Sequence, residues 1–244
     1  MAGVVCLAIS AQAQFGPGGG GAGHGMSISG STAKLFGENS AFSASIEIRA
    51  EPPGNQGAVT VPGKIAYSEG KSRFEMDTSE AKGEAIPPAA AAQMKSIGMD
   101  KMVMISRPDK KLNYIIYPGV QAYVEMAIQD PEADKPVSDF KLEATEVGKE
   151  SLAGHDCVKN KVVVTDKEGS KHESTCWNAT DLNKFPMKIE QSDSGTSSTM
   201  TFKDVKLAKP DAKQFEAPAD YKKYTDMMAM LQDVMMKKGG GAPK

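Results

Sequence analysis

The sequence predicts a mainly β (α+β) fold: a curved antiparallel sheet, or unclosed β-barrel, with a C-terminal helix and a short helix packed on its concave face. Two observations indicate this class. From about residue 40, apolar side chains recur at every second position, as in strands with one buried face. Between residues 102 and 128 the strands are apolar at both parities, so both faces of that part of the sheet must be covered.

The alternation defines the strands in order. Phe42, Ala44, Ile46 and Ile48 share one face, and the segment KIAYSEGKSRFEMD is typical of two strands. Their turn is Ser68–Lys71, in which a glycine can adopt a positive φ. The same alternation continues through DFKLEATEV, the hairpin GHDCVKNKVVVTDKEGSKHESTCW, FPMKIEQS and STMTFKDVKL.

The doubly apolar strands are KMVMISRP, KLNYIIYPG and QAYVEMAI. Short turns at Pro108–Lys110 and at Pro118–Gly119 predict that they form an antiparallel meander. A helix, a partner or a ligand must lie over the second face of this meander.

Two segments have helical patterns. Residues 87–98, PPAAAAQMKSIG, begin with prolines, continue with alanines and end at Gly98. A C-terminal helix is predicted over residues 220–238, capped by Asp220, with lysines in its last turn and Gly239 at its end. Its predicted apolar stripe consists of Tyr221, Tyr224, Met228, Leu231 and Met235.

The N-terminus has the pattern of a secretory signal peptide. The apolar run Ala2–Ile9 precedes Ala11-Gln12-Ala13, a small-x-small cleavage pattern, so we expect cleavage near Ala13 and a periplasmic or secreted protein of the bacterial envelope. The predicted organisation is a signal peptide (1–13), a glycine-rich flexible linker (14–30), one β domain (31–238) and a disordered tail (239–244). No run of eighteen apolar residues predicts a transmembrane helix.

Three cysteines are present, and cleavage would remove Cys6. The remaining pair, Cys157 and Cys176, lies on the two strands of one predicted hairpin. In an oxidising compartment such a pair is expected to form a structural disulfide.

Motifs for catalysis or cofactors are missing from the sequence. It contains no Gly-x-Ser-x-Gly elbow, no His-Glu-x-x-His and no dinucleotide-binding glycine pattern, so we predict neither an enzyme nor a cofactor. His155 and His172 would not converge with the cysteines on a zinc ion. The net charge of −2 argues against a nucleic-acid partner.

The 15 methionines are the unusual feature of the composition. They are concentrated at residues 94–104 and 227–236. Thioethers can hold Cu(I), can line a surface that adapts to variable apolar partners, or can simply fill a core. Met102 and Met104 are the expected ligands if copper is bound.

Four segments together resemble exported bacterial proteins of unknown function that are similar to the LolA/LolB and LppX type of lipoprotein-carrier fold. They are YSEGKSRFEMD, RPDKKLNYIIYPGVQAYVEM, GHDCVKNKVVV with CWNATDLNKFPMKIE, and QFEAPADYKKY. The resemblance spans most of residues 40–225 and implies an unclosed barrel around helices with an apolar cavity for acyl chains. Its signature positions are Arg73, Asp109, Tyr114, Pro118, Tyr123, Gly154, Cys157, Trp177, Pro186, Phe215, Pro218 and Tyr221.

The function predicted from these features is a non-enzymatic binding protein that holds a lipid or a lipoprotein acyl chain between sheet and helix. The predicted groove lining is Met102, Met104, Tyr114, Ile116, Tyr123, Val124, Met126, Trp177, Met228, Leu231 and Met235. One alternative is a structural or interaction protein of the envelope whose groove is filled by its own helix. A second alternative is a methionine-rich copper-binding protein.

Overall fold

The computed structural model describes residues 28, 30–51, 53, 57–83, 88–133, 135–193 and 195–239. The predicted signal peptide, nearly all of the predicted linker and the tail beyond residue 239 lie outside these residues. Ile28 is buried and Gly30 begins a helix, although both residues fall within the predicted linker. Gly239, assigned to the tail from the sequence, belongs to the C-terminal helix.

Thirteen strands form a single sheet, accompanied by three α-helices among the described residues. The strands are β1 (Ala41–Glu51), β2 (Val59–Ser68), β3 (Lys71–Asp77), β4 (Lys82–Gly83), β5 (Lys101–Arg107), β6 (Leu112–Tyr117), β7 (Ala122–Ala127), β8 (Lys141–Leu152), β9 (His155–Thr165), β10 (Lys171–Ala179), β11 (Pro186–Asp193), β12 (Thr196–Lys206) and β13 (Lys222–Tyr224). The helices are α1 (Gly30–Lys34), α2 (Pro88–Ile97) and α3 (Met227–Gly239).

The strand order is β13-β7-β6-β5-β3-β2-β1-β12-β11-β10-β9-β8, and β4 pairs with β2 beside this path. Every pairing is antiparallel except that of β13 with β7, which is parallel. The sheet is not closed, because β13 and β8 form its two ends. The predicted fold class is therefore confirmed.

The predicted hairpins are confirmed as well. In the β2–β3 turn both Glu69 (φ 51°) and Gly70 (φ 85°) have the positive φ that a tight hairpin turn needs. Strands β5, β6 and β7 form the predicted meander, with 3₁₀ turns beginning at Pro108 and at Pro118.

One face of the sheet, here called the inner face, carries a cluster of rings beside α1. This aromatic cluster consists of Phe36, Phe42, Tyr67, Phe185, Phe202 and the buried side chains around them. Ring centroids are 4.8 Å apart for Phe36–Phe42 and 4.9 Å apart for Phe42–Phe185. Stacked and edge-on rings at such distances add stability beyond the apolar area that they bury.

Residues 128–133 and 135–140, the described part of the connection after β7, contact the aromatic cluster and α1 on the inner face. They connect β7, next to one end of the strand order, to β8 at the opposite end. Phe140 joins the aromatic cluster, and the Glu132 carboxylate accepts hydrogen bonds from the backbone N–H (3.2 Å) and Oγ (3.0 Å) of Ser31. This connection is thereby fixed to the first residues of α1.

The C-terminal helix begins seven residues later than the sequence predicted, at Met227 instead of Asp220. Residues 222–224 form β13 instead, because their backbone pairs with Ala122–Val124 of β7. Asp226 caps the helix, accepting a hydrogen bond from the backbone N–H of Ala229 at 2.7 Å. The predicted stripe through Tyr221 and Tyr224 therefore has the wrong phase.

The predicted disulfide between Cys157 and Cys176 is wrong, because both residues are buried free thiols. Cys157 lies opposite Ala179 and Cys176 lies opposite Asn160, so the cysteines are displaced by three residues along the hairpin. That offset is about 10 Å of strand. A disulfide requires Cα atoms closer than about 7 Å.

The turn of this hairpin sets the register that separates the cysteines. The Asp166 carboxylate accepts from the backbone N–H of Ser170 at 2.8 Å, and Gly169 adopts a φ of +88°. The turn is therefore centred near residue 168, whereas facing cysteines would need a turn nearer the N-terminus. In their apolar surroundings burial raises the pKa of both thiols, that of Cys176 to about 12.

No helix within the described part of the chain has both the length and the apolar character needed to cross a membrane.

Candidate functional site

The strand register arranges the inner-face side chains of the meander and its neighbours in rows. The upper row is Tyr67, Ser72, Ser106, Asn113 and Met126. The middle row is Ile65, Phe74, Met104, Ile115 and Val124. The lower row contains Gly63, Met76 and Met102 on β2, β3 and β5, and Tyr117 and Ala122 on β6 and β7.

A second apolar cluster covers the middle and lower rows. This methionine cluster contains the buried residues Val59, Val61, Met76, Met99, Met102, Ile115, Tyr117, Ala122, Val124, Met230 and Val234. Met94, Met104, Met126, Met227 and Leu231 are among the partly buried residues packed against it. Eight of the 15 methionines therefore meet in one layer, although they come from strands and from both later helices.

Helix α3 covers this layer with Met227, Met230, Leu231 and Val234, which follow one another at the i, i+3, i+4, i+7 spacing of a helix face. Helix α2 contributes Met94 and Ile97. The two helices therefore form the roof of the layer, and the meander forms its floor.

The roof is held to the sheet by a polar contact at Asp233. Its carboxylate pairs with Lys222 Nζ of β13 at 2.9 Å and with Lys237 Nζ at 3.0 Å, and it accepts a short hydrogen bond from the Tyr224 hydroxyl. These donors hold the pKa of Asp233 well below its usual range.

Two glycines set how closely the end of α2 approaches the meander. A Cβ on Gly119 would lie 2.3 Å from the carbonyl oxygen of Gly98, closer than real Cβ atoms come. Gly98 has a φ of +76°, which favours glycine. This backbone contact places Met99, the next residue, inside the layer.

The layer is apolar around its one fully buried phenol. Burial raises the pKa of Tyr117 to about 12, because the phenolate would be poorly solvated there.

The structure brings together only part of the predicted groove lining. Met102, Met104, Val124, Met126 and Leu231 belong to the methionine cluster. Tyr114, Ile116 and Tyr123 face the opposite side of the sheet, and Trp177 belongs to the buried side chains around the aromatic rings. Met228 and Met235 are exposed on α3, as a consequence of the shifted helix phase.

Trp177 is separated from the layer by its own polar surroundings. Its Nε1–H donates to Glu150 Oε2 at 2.8 Å, and the amines of Lys159 and Lys188 lie 4.7 Å and 4.2 Å from its ring centroid. Cations above an indole face stabilise its position. These contacts make Trp177 part of the scaffold.

The second covered face of the meander is filled by the chain itself. An outer cluster of Ala66, Val103, Ile105, Tyr114, Ile116 and Phe215 forms where the segment 212–221 lies over the outer face. The doubly apolar strands are thus buried on both sides, as predicted. On the outer face they are covered by segment 212–221 of the same chain.

Two arginines fasten this segment. Arg73 Nη1 donates to the Gln214 carbonyl and Arg107 Nη1 to the Phe215 carbonyl, both at 3.0 Å. Arg107 also forms a two-point ion pair with Asp109 at 2.8 Å for each contact, and pairs with Glu216. Arg107 and Glu216 were missed from the sequence, which offered only the RPD turn as a signal.

Two grooves open on the outer face, of about 280 and 520 Å³. They share Ser45, Lys64 and Glu75, which are neighbours in register and point outward. Charged and apolar side chains both line their walls, and the larger groove also reaches Met76 and Met102 of the inner face. No residue of α3 lines either groove. Beneath α3 the side chains of the methionine cluster pack against one another.

Within the described residues, no three or more His, Cys, Asp or Glu side chains are grouped so as to hold a metal ion. His155 pairs with Asp181 (2.8 Å) and His172 Nε2 lies 2.9 Å from Glu132, so each of these two histidines has an acidic neighbour.

No protein-family model and no curated protein matches this chain. Among solved structures it is similar to a LolA superfamily protein from Nitrosomonas europaea, at 13% identity and a TM-score of 0.41, over 76% of this chain and 94% of that one. It is also similar to the lipoprotein LppX of Mycobacterium tuberculosis, at 10% identity and a TM-score of 0.38, over 71% and 94%. It is similar as well to LprF from Mycobacterium bovis, at 14% identity and a TM-score of 0.40, over 82% of this chain and 97% of that one.

Proposed function

We propose that this chain is a non-enzymatic binding protein that holds an apolar ligand, such as an acyl chain, in the methionine cluster between the meander and helices α2 and α3. One observation carries the proposal: eight methionines, from three strands, two helices and the loop before β5, converge in a single layer. An unbranched, polarizable side chain with three rotatable bonds fits the shape of whatever lies beside it.

The dimensions of the layer suit a long acyl chain. Its floor spans strands β2, β3, β5, β6 and β7, which is about 19 Å at the usual strand spacing. Each methylene buried there contributes about 0.8 kcal/mol. A palmitoyl chain therefore gains enough on burial to offset the displacement of flexible methionine side chains.

Entry of the ligand requires the roof to move, and the contacts of the roof permit this. Helix α3 is fastened by the side-chain contacts of Asp233 and by apolar packing. Helix α2 has mostly exposed or half-buried side chains and is held near its end by the Gly98–Gly119 contact. An acyl chain would replace the roof's methionine contacts with its own.

A second function is favoured by a specific observation: Met230 and Val234 are buried, so the helix already fills the layer. On this reading the chain is a structural or interaction protein of the envelope with a self-filled core. A Cu(I) titration distinguishes both of these functions from copper binding. A copper-binding protein would bind Cu(I) and lose it on substitution of Met102 and Met104, because their thioethers would be the ligands.

The proposal is tested by titrating the full chain with a fluorescent palmitoyl probe and by native mass spectrometry of the purified protein. Met102→Gln places an amide in the layer and should weaken binding by about tenfold. The matched control is Met200→Gln in the aromatic cluster, since Met102 is 7% and Met200 5% exposed. Both variants should lose similar stability, but only the first should lose affinity. Binding that is absent from the wild type, or equal in the two variants, would favour the self-filled protein.

The envelope location belongs to the same proposal. Expression in a bacterial host should yield a mature chain that begins at Gln14, as measured by intact mass. A retained N-terminus in the cytoplasmic fraction would contradict an exported carrier while leaving the binding test unaffected.

A further inference from the structure

The upper row of the inner face is polar, although it borders two apolar rows. Ser72 and Ser106 lie at its centre and are Cα partners on β3 and β5. Their side chains are 1% and 7% exposed, and their Oγ atoms have no hydrogen-bond partner among the described residues. A buried hydroxyl without a partner costs free energy, so a paired arrangement of two such groups needs an explanation.

The two hydroxyls are placed to act together. Directly opposed residues of an antiparallel pair have Cβ atoms about 5 Å apart. Two hydroxyls at that separation can both donate to one acceptor oxygen between them. The middle row, with Met104 and Phe74, lies two residues away along the strands, or about 7 Å.

The upper row carries no charge. Its other members are Tyr67, Asn113 and Met126. The cations adjacent in sequence, Lys71, Arg73 and Arg107, all have the opposite parity. Arg73 is engaged with Glu75 and the Gln214 carbonyl, and Arg107 with Asp109 and Glu216, on the outer side. A carboxylate buried here would have no countercharge, whereas the carbonyl oxygen of an ester needs only the donors.

We infer that the ligand is a neutral acyl ester whose carbonyl oxygen accepts hydrogen bonds from Ser72 and Ser106 while its acyl chain lies in the methionine cluster. This inference rests on the proposed function and assigns the orientation and chemical class of the ligand. The acyl chain enters the apolar rows, and the oxygenated end stays at the upper row.

Ser68 provides a matched control. Its hydroxyl is also buried (2% exposed) and also without a partner, but it has the opposite parity on β2 and faces the other side of the sheet. Ser72→Ala together with Ser106→Ala, and Ser68→Ala alone, remove the same kind of unpaired hydroxyl. Both variants should fold, because removing an unpaired buried hydroxyl relieves a cost.

The experiment measures displacement of a neutral naphthylamine probe from the full chain by monopalmitoylglycerol and by ionised palmitate at mildly alkaline pH. We expect the ester to displace the probe at about tenfold lower concentration than the acid. The double serine variant should lose about tenfold in affinity for the ester and keep its affinity for the probe, and Ser68→Ala should behave as the wild type.

Three results would overturn the inference. Equal ester affinity in the double variant and the wild type would mean that the hydroxyls serve the fold alone, for example by holding a buried water. Preference of the wild type for the ionised acid would contradict the neutral class of ligand. A wild type that binds the probe but neither lipid would refute the ester site, and one that binds none of them would refute the proposed function itself.

Discussion

Two hydrophobic clusters share the inner face of one sheet but are built from different side chains. In the aromatic cluster, rings pack with centroids 4.8–6.3 Å apart. The methionine cluster contains eight thioethers and only two rings, those of Tyr117 and Tyr224. Phe74 of the first and Met104 of the second are Cα partners, so the change occurs between adjacent strands.

The difference in side chains suits the two clusters to different roles: one to fix the shape of the core, the other to change shape. Rings with two side-chain torsions fix one geometry, and interlocking them defines the shape of the scaffold. Methionines tolerate changes in shape, which specifies a core poorly but lets it accept another molecule. We therefore expect the aromatic cluster to contribute most to the stability of the fold and, if the proposed function holds, the methionine cluster to adapt to the ligand.

The largest expected effect is in the aromatic cluster. Phe42 is fully buried between Phe36, Tyr67 and Phe185, so Phe42→Ala should lower the free energy of unfolding by about 3–5 kcal/mol. Urea unfolding followed by circular dichroism measures it. Val147→Ala, at an exposed position of β8, is the control and should change stability by less than about 0.5 kcal/mol. If Phe42→Ala lowered the free energy of unfolding by less than about 1 kcal/mol, the aromatic cluster would not be the more strictly packed of the two.

The next effect concerns the outer cover that closes the other face beneath the methionine cluster. Arg107→Met removes hydrogen bonds to a carbonyl and to two carboxylates, and should cost about 2 kcal/mol. Arg49→Met is the matched control, because Arg49 pairs with Glu51 at the same two-residue spacing but is exposed. Equal losses in the two variants would show that segment 212–221 contributes little to the sheet.

A smaller effect is expected within the methionine cluster itself. Met102→Leu and Met230→Leu keep volume and apolarity, so each should change the free energy of unfolding by less than about 1.5 kcal/mol. Ligand affinity should fall more than stability does, because leucine adapts less well to an acyl chain. A loss of stability above about 3 kcal/mol would mean that this layer is as strictly shaped as the aromatic one.

The smallest effect is the pH dependence of the roof. Because the pKa of Asp233 is lowered in the folded state, its contribution is complete above the usual carboxyl pKa and is lost as pH falls through the lower folded value. The protection of α3 amides, measured relative to β10 amides so that the intrinsic slowing of exchange by acid cancels, should therefore fall as the pH drops below the usual carboxyl pKa. Asp233→Asn should make α3 exchange fast already at neutral pH. Unchanged α3 protection in this variant would show that packing alone holds the roof.

The sequence was sufficient for the long strands, because their period is two and their turns contain glycine or proline, but not for the short strands β4 and β13. It also predicted that the meander is buried on both faces, because its strands are apolar at consecutive positions. Ile105 and Tyr114 are covered on the outer face, and Met104 and Ile115 on the inner face. The nature of the outer cover was not predictable, because the contacts of Arg107 with residues 215 and 216 join segments that are more than 100 residues apart.

Local signals were misleading where tertiary pairing competes with them. Tyr221 and Tyr224 continue the spacing of the α3 apolar stripe, yet pairing with β7 draws residues 222–224 into a strand. The cysteines suggested a disulfide, yet the Asp166 turn fixes a register that separates them. The set of methionines was visible in the sequence, but their convergence depends on how α2 and α3 pack on the sheet.

The central claim is that the methionine cluster, and not the aromatic cluster or the exposed face of α3, is where an apolar ligand is held. Methionine-methyl ¹³C NMR of the labelled full chain, titrated with monopalmitoylglycerol, tests it with internal controls. Met102, Met104, Met126 and Met230 should shift, whereas Met187 and Met200 in the aromatic cluster should not. Shifts confined to Met228, Met235 and Met236, which are exposed on α3, or no shifts at all, would contradict the account.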